Sequence, residues 1–109
     1  MKYTVDLTRS AEADLNDIVD WIARNDSLAH AVHVLEQIQS KLESLCRQPE
    51  RVSVPFELRK LGIDKYRQVL FKPCRIIYHV RDRRVIVNLI VDGRRDMSVL
   101  LQRRLTAVT

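Results

Sequence analysis

Glycine and proline are scarce, at two and three in 109 residues, which leaves no room for a flexible linker or a low-complexity tail. The chain is therefore read as one domain, residues 1 to 109, large enough to bury a core without staples. Aromatics make up only 6%, and Trp21 and Phe71 stand too far apart to form a stacking platform for single-stranded nucleic acid. Both are read as core or edge packing. Cysteine is limited to Cys46 and Cys74, which argues for two free thiols and against a disulfide framework. Long apolar runs are missing too. The longest, Val85 to Val91, contains Asn88 and falls well short of the roughly 20 residues that a membrane span needs. The opening MKYTVDLTRSAEADL has no apolar signal core, so a cytosolic chain with no membrane contact is expected. No cofactor is expected.

Charge is present but unevenly placed. Residues 1 to 46 carry 4 Lys/Arg against 8 Asp/Glu, a net of −4, while residues 47 to 109 carry 15 against 6, a net of +9. A cationic C-terminal half attracts polyanions or an acidic protein and speeds encounter with either.

Lys2 to Leu7 alternates, with Tyr3, Val5 and Leu7 on one side, which predicts a short strand at a sheet edge. From Thr8 the period becomes helical through Ala11, Leu15, Ile18, Val19 and Ile22, with Thr8 or Ser10 as cap and an end near Asn25. Ser27 caps a second helix whose stripe is Ala31, Val34, Leu35, Ile38, Leu42 and Leu45, running until Gln48 and Pro49. The pair reads as a helical hairpin. A loop with a possible short strand around Arg51 to Val54 follows, then strands at Tyr66 to Lys72, Arg75 to Arg81 and Arg84 to Asp92. Turns at Lys72-Pro73-Cys74 and Asp82-Arg83 make these an antiparallel meander. Met97, Leu100, Leu101 and Leu105 suggest a short last helix. The fold class is α+β: an N-terminal strand and a helical hairpin packed on a curved antiparallel sheet, with a short C-terminal helix.

Several side chains could carry chemistry. Arg75 and His79 share a strand face, where a guanidinium can hold a phosphate and an imidazole can move a proton. The plainer alternative is a solvated strand face. Arg94 and Arg95 follow Gly93 and precede Asp96, which can pair with one of them. His30, His33 and Glu36 recur every three residues on the second helix, but with no further ligand signposted they read as a wet helix face and no metal is expected. Arg103 and Arg104 extend the basic surface of the last helix, as contacts for a target or a protein partner.

The stretch LRKLGIDKYRQVLFKPCRIIYHVRDRRVIVNLIVDGRRDMSVLLQRRL, preceded by a helical hairpin, resembles the RelE/ParE superfamily of bacterial toxins. The signals are a basic YR strand, an RIIY strand after a turn, a third aliphatic strand and an RRD element leading to a terminal helix. The resemblance implies a partner antitoxin that wraps and silences the toxin. It also implies one of two actions, cutting messenger RNA in the ribosomal A site or binding DNA gyrase and blocking replication. On the RelE side, Arg67 matches a phosphate-binding lysine, while Arg75 and Arg95 match arginines. Leu101 stands where the cleaving members carry a tyrosine. Losing a general acid or base costs roughly 100-fold to 10,000-fold, so a nuclease built on Arg67, Arg75 and Arg95 would need His79, Tyr66 or Glu57 as a substitute. The resemblance therefore leans to ParE: a growth-arresting gyrase inhibitor, with Arg67, Arg75, Arg94 and Arg95 as target or phosphate contacts, of the kind found in plasmid-stabilising modules. A ribosome-dependent mRNA endonuclease is the alternative.

Overall fold

The alternation at the N-terminus produces β1 (Thr4–Leu7), after which Thr8 turns the chain into α1 (Arg9–Asn25) by accepting the amide hydrogen of Ala11 at its side-chain oxygen. Asp26 and Ser27 link α1 to α2 (Leu28–Ser44), and the Ser27 hydroxyl oxygen accepts from the His30 amide in the same way. A single helical turn, α3 (Phe56–Arg59), precedes β2 (Tyr66–Phe71), β3 (Cys74–Arg81) and β4 (Arg84–Asp92). This computed structural model describes residues 3–47, 54–71 and 74–92 together with Leu101, Arg103 and Arg104, with Phe71 and Asp92 described by backbone alone.

The four strands lie in the order β1-β4-β3-β2. The meander β2–β3–β4 is antiparallel as the turns predict, and β1 takes the expected edge position. β1 nevertheless runs parallel to β4, Thr4 opposite Arg84 and Leu7 opposite Val87, because the helical hairpin carries the chain back across the sheet before β2 begins. The sheet is thus mixed at that edge. Beyond the end of β1 the Asp14 carboxylate of α1 accepts the Ile90 amide hydrogen at 3.1 Å.

One face of the sheet packs on the helices. Ala11, Val34, Ile38, Leu42 and Leu45 meet Ile76, Tyr78, Val85, Val87 and Ile90 in the main core, and Tyr3, Val5 and Leu7 pack against its margin. On the opposite face a smaller cluster joins Leu58 of α3 to Tyr66, Ile77, Leu89, Val91 and Leu101. α3 was not foreseen, although Pro55 at its start, Glu57 in its first turn and Gly62 just beyond it are the usual signals. Trp21 corrects another expectation. It is 60% exposed on the outer side of α1 instead of packing into core or edge, since Ile18 and Ile22 already fill the inward stripe.

α2 stops at Ser44, earlier than the stripe implied, and Leu45 continues the core from a turn. Val54 is not in a strand, and residues 51–53, which the sequence offered as one, lie outside the described residues, as do Gln48, Pro49, Lys72, Pro73, Gly93, Met97, Leu100, Gln102 and Leu105. Leu101, Arg103 and Arg104 are helical, in line with the expected last helix.

The β3–β4 turn holds Asp82 at φ 51° and Arg83 at φ 64°, both left-handed. A two-residue turn of this twist matches the strands but burdens a side chain with roughly 1–2 kcal/mol. Arg83→Gly is expected to raise stability by about 0.5–1 kcal/mol, read as a higher urea midpoint at unchanged slope.

Candidate functional site

The face opposite the helices carries most of the described candidate residues, and strand pairing fixes which ones share it. Tyr66 lies across from His79, Gln68 from Ile77 and Leu70 from Arg75, so these six point one way. Arg67 lies across from Tyr78 and Val69 from Ile76, which puts Arg67 on the helix side, where its Nη1 donates to the Asp64 carbonyl oxygen at 3.2 Å. Arg67 and Arg75 therefore do not converge. Nor do Arg75 and His79: they share a face, but four residues of strand separate them by roughly 13 Å.

Arg75 is the most heavily engaged cation of this face. Its Nη1 and Nη2 donate to the two carboxylate oxygens of Glu57 at 2.8 and 2.9 Å, while Nε and Nη2 also donate to the Gln68 side-chain oxygen at 3.0 and 2.6 Å. The side chains of Arg75 and Glu57 are 15% and 20% exposed, so the fork is largely shielded from water. The Arg75 hydrogen bonds hold the Glu57 carboxyl below its ordinary value against the opposing pull of burial. A guanidinium expected to grip an external anion is thus already holding an internal one.

At the other end of the face the His79 and Tyr66 rings meet edge to face at 5.6 Å, and the Lys65 ammonium sits 5.0 Å from the Tyr66 ring centre. His79 Nδ1 lies 2.8 Å from the Asn88 side-chain oxygen, so Nδ1 carries the hydrogen and donates it, leaving Nε2 unprotonated in the neutral ring. Asn88 reaches this position because it is the extra residue of a bulge: Ile77 pairs with Leu89 and Tyr78 with Val87.

Arg104 ion-pairs with Asp14 and donates to the Ser10 carbonyl oxygen, tying the last helical segment to α1. Arg103 is exposed. Arg94 and Arg95 lie outside the described residues. Among the described residues no group of three or more His, Cys, Asp or Glu side chains could hold a metal ion, and His30 pairs with Asp26 instead. Leu101, which the resemblance sets where cleaving toxins carry a tyrosine, is buried in one cluster with Ile77 and Leu89. Sequence reasoning missed Gln68, Asn88 and Asp14. Gln68 was within reach, being two residues from Tyr66 on the same strand face, whereas the bulge at Asn88 and the hydrogen bond from Ile90 to Asp14 leave no mark in any local pattern.

Residues 5–97 match the model of a family described as the ParE toxin of the type II toxin–antitoxin system parDE. The chain belongs to the ParE toxin family. It is a toxin of the type II toxin–antitoxin class. Solved structures agree on the fold. A chain of the chromosomal ParDE toxin–antitoxin system from P. aeruginosa superposes with a TM-score of 0.71 at 18% identity, covering 84% of this chain and 96% of that one. A chain of the toxin–antitoxin complex RelBE2 from Mycobacterium tuberculosis gives 0.62 at 21% identity, covering 84% and 92%. No curated protein sequence matches the chain. Among the described residues no helix of this ParE-family toxin is long and apolar enough to cross a membrane.

Proposed function

We propose that this ParE-family toxin arrests growth in the cytoplasm by binding DNA gyrase and blocking replication, and that a cognate antitoxin neutralises it by masking. The observation that carries this reading is that the nuclease candidates among the described residues do not assemble. Arg67 faces the helices, Arg75 is occupied by Glu57 and Gln68, and a buried leucine stands where cleaving members place a tyrosine. Among the described residues Arg67 and Arg75 do not converge on one phosphate, and a phosphate without convergent cations gains little from the protein. A non-enzymatic inhibitor needs no such convergence, because surface complementarity alone supplies its affinity. The antitoxin reading is supported by the fold shared with chains of the ParDE system and of the toxin–antitoxin complex RelBE2. The cationic half of the chain gives it an acidic segment to attract.

Purified toxin added to gyrase and relaxed plasmid is expected to suppress supercoiling and accumulate cleaved DNA, while transcripts in arrested cells stay intact. Gyrase left untouched by a large molar excess refutes the proposal. The endonuclease alternative draws its support from His79, whose Nε2 is left free to accept a proton. It requires message cleavage during expression that disappears in His79→Ala.

A further inference from the structure

The Glu57–Arg75 fork is a filled carboxylate site, and the element that fills it is weakly held. α3 is one turn long, follows Pro55 with no side-chain cap, and enters the smaller cluster through Leu58. The fork lies on the face that carries Ile77, Leu89 and Val91, and two large apolar side chains stand uncovered next to it in chain or register. Phe56 precedes Glu57 and is 64% exposed, and Leu70 pairs with Arg75 and is 54% exposed. Leu61 and Ile63 continue the exposed apolar surface just after α3. Water-facing apolar groups around a shielded arginine are the makings of a site for an acidic side chain flanked by apolar ones.

We propose that Glu57 is a removable internal ligand of Arg75, and that the α3 turn opens to let a carboxylate from an acidic, leucine-rich protein segment take its place. Glu57, being tethered, competes at an effective concentration on the order of millimolar, so an external carboxylate alone would lose. The incoming segment wins only by covering Phe56, Leu61, Ile63 and Leu70 as well. That requirement makes the exchange selective for a protein segment over nucleic acid, which brings anions without apolar side chains. The inference goes beyond the gyrase reading and holds whichever target the toxin has.

The test uses the full chain, a fluorescein-labelled peptide of alternating Glu and Leu, and a labelled single-stranded oligonucleotide. Glu57→Gln is expected to tighten peptide binding about tenfold, the worth of one charge-assisted contact released. Glu57→Gln combined with Arg75→Gln should erase the gain. Asp17→Asn, which removes an exposed charge on α1, should show none of it. If Glu57→Gln folds poorly, Glu57→Asp keeps the charge and shortens the reach, and is expected to give a gain of the same sign. The proposal is overturned by unchanged peptide affinity in the position 57 variants, by an equal gain in Asp17→Asn, by a gain that survives loss of Arg75, or by a gain confined to the oligonucleotide.

Discussion

Replacing Tyr78 by alanine is expected to cost about 3–5 kcal/mol, enough to unfold much of the protein at 37 °C. Tyr78 is fully buried at the centre of β3, where its ring fills the space between the sheet and the helical hairpin formed by Ala11, Val34, Ile38 and Leu42. Those neighbours come from two helices, and Val85, Val87 and Ile90 of β4 join the same cluster, so no single element can collapse into the void. Val80, two residues on, packs at the margin of the same cluster and is only half-buried, so Val80→Ala is expected to cost about 1 kcal/mol. Urea unfolding followed by circular dichroism distinguishes the two. A Tyr78→Ala loss no larger than that of Val80→Ala would show that the helices do not depend on β3 for their seat.

The same residues explain why so much of the fold was legible. The stripes on α1 and α2, the caps at Thr8 and Ser27 and the alternation in β3 and β4 are local features whose period differs between helix and strand, so each segment declares its own state. What was not legible depends on distant parts of the chain. The parallel pairing of β1 with β4 follows from where the hairpin delivers the chain, and the exposure of Trp21 from the inward stripe being full already. The candidate site suffered most from this. Arg67 and Arg75 stand eight apart with a turn between them, and reading them as one phosphate grip ignored that the pairing register decides the face of each. Glu57 was named as a stand-in proton mover, because nothing in its surroundings announces a partner 18 residues away.

That partner makes Arg75 a structural residue as much as a functional one. Arg75→Ala is expected to destabilise the toxin by about 2–3 kcal/mol at pH 7, since it strands a mostly buried carboxylate beside Leu58 and leaves the Gln68 oxygen without its two donors. Glu57→Gln should cost less, about 1 kcal/mol, because an amide still accepts from the guanidinium and no unpaired negative charge remains. The two losses should not add: with both partners replaced, the double variant is expected to sit above Arg75→Ala alone. The pH dependence gives a second check with a defined sign. The folded-state pKa of Glu57 lies below its ordinary 4.5, so its contribution is fully present above that value and is lost as pH falls through the lower, folded one. The gap between wild type and Arg75→Ala should therefore be widest above pH 4.5 and narrow as pH falls below it. A gap that persists undiminished at pH 3 would mean that Arg75 stabilises the face through its packing and Gln68, with Glu57 a bystander.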